Sequence, residues 1–125
     1  MKKICFILIL LLFFCGVCFG GDVQQATGAG AMSETYTKNK NGKKLIEVRL
    51  HLNQAAATSE NFVVYIDSSV SSVYDTVLFS QDMSGVQDVV FRPTFPISFG
   101  GSGDVIRFTY TNSDSKTWGL EGLYQ

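Results

Sequence analysis

Alternation of apolar and polar residues with a period of two is the feature that most constrains how this chain can fold. It is clearest in residues 44–53, KLIEVRLHLN. The apolar side chains are predicted to face a core and the polar ones water: Ile46, Val48, Leu50 and Leu52 against Glu47, Arg49, His51 and Asn53. Successive side chains of a strand point to opposite faces, so this pattern predicts a half-buried β-strand.

Similar short segments recur along the chain, with turn-forming residues every eight to twelve positions. The other predicted strands are residues 33–39, 62–67, 73–80, 86–92, 104–111 and 117–125. Residues 62–67, FVVYID, are apolar on both faces, which predicts a central or covered strand. We therefore predict an all-β fold: a single small antiparallel β-sandwich, jelly-roll-like, of seven or eight strands within residues 33–125.

Two β-hairpins are predicted from turn chemistry. Residues 112–115, NSDS, have short polar side chains that favour a turn, so residues 104–111 and 117–125 are predicted to pair. Asn41-Gly42 is a strong hairpin signal, because both residues tolerate positive φ. It lies between the predicted strands 33–39 and 44–53.

The first 20 residues resemble a secretory signal peptide. Lys2 and Lys3 precede an apolar run over residues 4–14, and Cys18 and Gly20 are small residues suited to a cleavage site. We expect cleavage before Gly21 and a secreted chain, extracellular or periplasmic. The alternative is a retained membrane anchor, for which the apolar run is short, since a spanning helix needs about 20 residues.

All three cysteines lie in this leader, so a cleaved chain would have no disulfide and no cysteine nucleophile. Removal of the leader lysines would make the chain more acidic than its net charge of −1. A mildly acidic chain lacks the basic surface that nucleic-acid binding requires. We accordingly expect no nucleic-acid partner.

Two further segments are candidates for assembly. Residues 21–32, GDVQQATGAGAM, have no apolar period and are predicted to form a flexible N-terminal arm, or alternatively an arm that orders against a neighbouring subunit. Pro93 and Pro96 predict an edge strand or a crossover between sheets over residues 93–99. Phe95, Ile97 and Phe99 are the candidate assembly residues there.

Catalytic and cofactor motifs do not emerge from the sequence. The single histidine, His51, falls on the polar face of its predicted strand, and no serine lies in a nucleophile motif. We expect no enzymatic activity, no cofactor and no metal site. Tyr36 and Tyr74 are the candidates for exposed aromatic residues that could stack on sugar rings, whereas core packing is the expected role of Trp118.

The C-terminal residues 103–125, GDVIRFTYTNSDSKTWGLEGLYQ, resemble the end of small β-sandwich structural proteins of tailed bacteriophages. The matching residues are Gly103, Asp104, Asn112, Trp118, Gly119, Leu120 and Glu121. The resemblance implies a structural role in a virion. The leader departs from that pattern, because virion proteins assembled in the cytoplasm need no export, so a prophage-derived or exported surface protein is the other implication.

Two functional hypotheses follow. The first is a non-enzymatic exported structural or interaction protein that decorates or assembles into an extracellular or virion-like structure, by self-association or with another surface or virion protein. The alternative is a small carbohydrate-binding module at a cell surface. An exposed aromatic strip would favour a glycan partner, and long open strand edges would favour assembly.

Overall fold

The computed structural model describes residues 21–37, 42, 44–98 and 103–125. The predicted signal peptide, Asn41 of the predicted turn and Phe99 lie outside these residues. The described chain forms eight strands: β1 Asp22–Ala29, β2 Met32–Thr37, β3 Leu45–Leu52, β4 Asn61–Asp67, β5 Thr76–Asp82, β6 Asp88–Phe91, β7 Val105–Tyr110 and β8 Thr117–Tyr124. A short 3₁₀ helix, Ser72–Tyr74, lies between β4 and β5. The all-β prediction is confirmed.

The strands form two four-stranded antiparallel sheets. Sheet I has the order β1-β8-β3-β6, and sheet II has the order β2-β7-β4-β5. The pairs β1–β8, β2–β7, β3–β6 and β4–β5 show that the first half of the chain runs back along the second half. A long double strand of this kind, rolled into two sheets, is the jelly-roll arrangement.

The predicted C-terminal hairpin is wrong. β7 pairs with β2 and β4 in sheet II, whereas β8 pairs with β1 and β3 in sheet I. Residues between them form a corner that crosses from one sheet to the other. Asn112 shapes it with a left-handed φ of 50°, and its side-chain amide donates to the carbonyls of Gly30 and Lys116 at 2.7 and 2.8 Å.

The hairpin predicted around Asn41-Gly42 is wrong for the same reason. β2 belongs to sheet II and β3 to sheet I, so the two strands do not pair. Alternation shows which side chains of a strand face the core. It does not show whether the next strand lies beside it or in the facing sheet.

The flexible arm predicted for residues 21–32 is wrong, because most of these residues belong to β-strands. β1 pairs with β8 along its whole length, from Asp22–Tyr124 to Ala29–Thr117, and Met32 begins β2. An apolar period is missing because the inward residues of β1 are Asp22, Gln24, Ala26 and Gly28, and the last of these must stay small. A Cβ on Gly28 would lie 2.5 Å from Cζ2 of Trp118, whose indole N–H donates to the Gly30 carbonyl at 3.0 Å.

The core lies between the sheets. It is built mainly from Leu45, Val48, Leu50, Leu52, Phe62, Val64, Ile106, Phe108, Tyr110, Trp118, Leu120 and Tyr124. The prediction for β3 holds at Val48, Leu50 and Leu52 but not at Ile46, nor at Glu47, which was predicted to face water and is buried. The pairing with β8 shifts register between Leu45 and Glu47, so Leu45 is fully buried and Ile46 only partly.

The proline-marked segment is a crossover. Its described residues form no strand and connect β6 in sheet I to β7 in sheet II. A β-bridge attaches this segment to β3: Leu45 and Ile97 exchange backbone hydrogen bonds of 3.0 and 2.9 Å. Within the described ranges, no helix has the length and apolar character that crossing a bilayer requires.

Candidate functional site

The two tyrosines predicted to be exposed have different environments. Tyr36 is only 6% exposed, so that prediction is wrong. Its ring packs against Phe108 and Tyr124, with centroids 4.7 and 6.2 Å apart, and its hydroxyl donates to the Gln24 carbonyl at 3.1 Å. Burial, reinforced by Glu34 and Glu121, raises the pKa of Tyr36 to about 12.

Tyr74 is exposed, with 64% of its surface accessible. It ends the 3₁₀ helix between β4 and β5, beside the exposed Val70, Val73 and Val77. The structure therefore does not bring Tyr36 and Tyr74 into one aromatic strip.

The crossover residues also differ from one another. Phe95 is 78% exposed, whereas Ile97 is partly buried against the core through its bridge to Leu45. Phe95 lies in the β6–β7 connection, at the same end of the sandwich as the β4–β5 connection that carries Tyr74. Both chain ends of the described domain are at this end, because Asp22 and Leu45 both pair with Tyr124.

A groove of about 410 Å³ crosses the outer face of sheet I. We call it the outer-face groove and define it by two cross-strand rows. The rows are Gln25, Glu121, Arg49 and Val90, and Thr27, Gly119, His51 and Asp88. Each row takes one residue from each of the four strands, so the sheet register itself places these side chains together.

Gly119 makes the groove concave. It lies between Thr27 on β1 and His51 on β3, and a Cβ added there would meet no atom within 4 Å. The floor at this point is bare backbone. The taller side chains on either side form the walls.

Polar contacts hold the walls in position. Gln25 Nε2 donates to Glu121 Oε1 at 2.6 Å, and Arg49 Nη1 lies 3.5 Å from Glu121 Oε2. His51 Nδ1 lies 2.6 Å from Asp88 Oδ1. Both members of that pair are more than half exposed, which agrees with the predicted position of His51 on the polar face.

A charge cluster borders the groove. Glu47 is buried beneath Arg49 and Arg92, and its carboxylate accepts a hydrogen bond from each guanidinium. The bond from Arg92 is the largest influence that lowers the Glu47 pKa below its usual range. Glu47 therefore fixes Arg49, which in turn reaches Glu121.

At the opposite end of the sandwich, two carboxylates join the β3–β4 and β7–β8 connections through hydrogen bonds. Asp114 accepts from the backbone of Ala57 and Thr58, at 2.6 and 3.0 Å, and from the Thr58 hydroxyl. Glu60 accepts from the backbone of Ser113 at 2.9 Å. Among the residues that the structure describes, no cluster of three or more His, Cys, Asp or Glu side chains is suited to a metal ion.

The second candidate surface is the open edge of β1. Within the described part of the chain, β1 pairs with β8 on one side and with no strand on the other. In an antiparallel pair, every second residue of a strand forms its backbone hydrogen bonds with the same neighbour. Gly30 N donates to Lys116 O at 3.4 Å, so the even-numbered residues Gln24, Ala26 and Gly28 also bond β8. The amides of Val23, Gln25 and Thr27 therefore point to the open edge.

Comparison with known proteins adds no relative: no protein-family model and no curated protein matches this chain.

The groove was not predicted from the sequence, and residues 21–32 were predicted to be a candidate assembly segment but not a strand. The groove had one signal, an isolated glycine inside an alternating strand, which often marks a bend or the close approach of another molecule. The open edge had none, because residues 21–32 lack the period that identifies a half-buried strand.

Proposed function

We propose that this chain is an exported, non-enzymatic structural or interaction protein whose β-sandwich joins its neighbours through the open edge of β1. The partner is another copy of the chain or another protein of the same extracellular or virion-like structure. The single observation that carries the proposal is the length and chemistry of that edge. Export rests on the leader sequence.

The other three sheet edges are better protected against pairing. β6 has four residues and is followed by Arg92 and Pro93, and β2 carries Glu34 at its centre. β5 pairs with β4 through a register shift, which twists an edge away from a flat partner. Charges, prolines, short strands and bulges are the usual devices that keep sheet edges from pairing.

β1 has none of these devices beyond its first residue. Its sequence, DVQQATGA, contains no proline and no charge after Asp22, and all eight residues pair with β8 in regular register. An added strand would meet an ordered row of unpaired amides and carbonyls. Backbone hydrogen bonds to such a row supply the affinity in strand addition.

His51 is bonded to the Asp88 carboxylate on the outer face of sheet I, where both side chains are more than half exposed. The carbohydrate alternative loses its predicted aromatic strip, since Tyr36 is buried.

The test is self-association of the secreted protein, measured by light scattering over a wide concentration range. Thr27→Pro removes an amide that faces the open edge and leaves the bonds to β8, so it should abolish association while the domain stays folded. Thr27→Val changes the same side chain but keeps the amide and is the matched control. A wild-type protein that stays monomeric throughout, or a Thr27→Pro variant that associates normally, would refute the proposal.

A further inference from the structure

We propose that the outer-face groove is a binding site for a neutral, hydroxyl-rich ligand, and specifically for a short oligosaccharide. This goes beyond assembly through β1, since it assigns a second surface and a ligand class. The inference rests on three properties of the groove: its shape, its hydrogen-bonding groups and its charge.

The shape suits a small elongated ligand. The volume of about 410 Å³ is within the range of small-molecule sites, which is about 300–1,000 Å³. The groove crosses four strands, and three interstrand spacings amount to about 14 Å. Gly119 lowers the floor between Thr27 and His51, where a side chain would divide the groove.

The hydrogen-bonding groups suit hydroxyls. A hydroxyl is both donor and acceptor, so its site should offer both. His51 Nδ1 is paired with Asp88 Oδ1, so the other ring nitrogen, Nε2, is left for a ligand and can accept a hydrogen bond when Nδ1 carries the proton. Asp88 retains its second carboxylate oxygen, and the Thr27 hydroxyl and the Arg49 guanidinium add donors. Val90, which is exposed at the end of the other row, offers an apolar contact for a C–H face.

The charges exclude an anionic ligand. Glu121 and Asp88 outnumber the single cation of the groove, Arg49. Arg49 is paired with Glu47 and Glu121, whose negative charges offset its positive charge, so the cluster would attract a phosphate or an acidic sugar only weakly. A neutral ligand avoids this repulsion.

A peptide fits the groove less well than a glycan does. Backbone groups on a sheet face are used in the ladders, so a peptide lying across the strands would find no partners for its amides and carbonyls. The place where this fold offers backbone partners is the β1 edge. Hydroxyl groups need only the side-chain partners that the groove provides.

The experiment is a glycan array of neutral and acidic oligosaccharides probed with the full chain, followed by calorimetric titration with any neutral glycan that binds. Gly119→Val should fill the groove without altering a charged group, and Asp88→Asn should remove one carboxylate. Each should weaken the affinity by about tenfold or more: Gly119→Val because its side chain occupies the space of the ligand, and Asp88→Asn because a hydrogen bond to a charged group is lost. Ser33→Val, on the exposed face of β2 in sheet II, is the matched control and should bind as the wild type does.

Every other result counts against the inference. An array with no neutral ligand, or with acidic glycans only, overturns the ligand class. Binding that survives Gly119→Val but is lost in Tyr74→Ala places the site at the end of the sandwich instead. Capture of a peptide from a peptide array, with loss of that binding in Gly119→Val, keeps the groove but replaces its occupant.

Discussion

Replacing Gly122 by alanine tests whether Tyr36 is packed as the structure shows. A Cβ at this position would lie 2.6 Å from Cε2 and 2.9 Å from Cδ2 of Tyr36. The ring cannot swing away, because it packs against Phe108 and Tyr124 and its hydroxyl is bonded to the Gln24 carbonyl. Overpacking of this kind costs about 1–3 kcal/mol.

The matched control is Gly119→Ala, in the same strand. Both substitutions gain the same backbone term, since glycine in a strand is less stable than alanine by about 0.5–1 kcal/mol. A Cβ on residue 119 meets nothing within 4 Å, so only Gly122→Ala is destabilised by a steric clash. The difference between the two variants should therefore be about 1–3 kcal/mol in the free energy of unfolding.

Urea titration followed by the fluorescence of Trp118 measures this difference. With a slope of about 1–3 kcal/mol per molar urea, the two midpoints should lie about 1 M apart, with Gly119→Ala the more stable. Coincident midpoints with equal slopes would show that the Tyr36 ring does not pack on Gly122. The buried position of Tyr36 would then be wrong.

Three further outcomes are expected in the same assay. Val48→Asp should destabilise by several kcal/mol because it buries an unpaired charge, whereas Arg49→Lys, which keeps a positive charge beside Glu47 and Glu121 on the outer face, should cost far less; equal losses would contradict the β3 register. Asn112→Ala should cost about 3 kcal/mol through lost hydrogen bonds and a left-handed φ, and Asn112→Gly should recover about 1 kcal/mol of it; identical variants would refute the role of φ. Arg92 lowers the pKa of Glu47 in the folded protein. The Glu47 carboxylate therefore stabilises the fold at pH values above its pKa in the unfolded chain, which is near 4.5, and this contribution is lost as the pH falls through its pKa in the folded protein. Unfolding at pH 7 and pH 3 should show a smaller acid loss for Glu47→Gln than for the wild type, and an equal loss would contradict the ion pairs.

The fold class was predictable because alternation reports burial directly. Val48, Leu50 and Leu52 were assigned to the core from their spacing alone, and the apolar β4 was predicted to be central. β4 does lie inside sheet II, between β7 and β5. These predictions depend only on which side of a strand is buried, and the sequence of the strand contains that information.

The partner of each strand was not predictable. Residues 104–125 alternate as a hairpin would, yet β7 and β8 lie in facing sheets because Asn112 turns the chain through a corner. β1 was missed because its inward residues, Asp22, Gln24, Ala26 and Gly28, form no apolar period, and the indole of Trp118 leaves no space for a side chain at Gly28. Tyr36 was predicted to be exposed because it is a lone aromatic residue among polar ones. The sequence gives no indication that its ring packs on Gly122 of another strand.

The candidate surfaces were still less predictable. The outer-face groove combines two residues from each of four strands that are distant in sequence. Their proximity follows from the sheet order β1-β8-β3-β6, which pattern reasoning does not provide. Exposure of Tyr74 and Phe95 was consistent with their positions in connections, but their roles stay predictions.

The most direct test of assembly through β1 is amide hydrogen exchange resolved by residue, in dilute and in concentrated protein. The amides of Gln24, Ala26 and Gly28, which bond β8, should be protected in both samples. The amides of Val23, Gln25 and Thr27, which face the open edge, should exchange freely when dilute and become protected when concentrated. Protection that appears at β2 or β5 instead, or no change at β1 in an associated sample, would contradict the account.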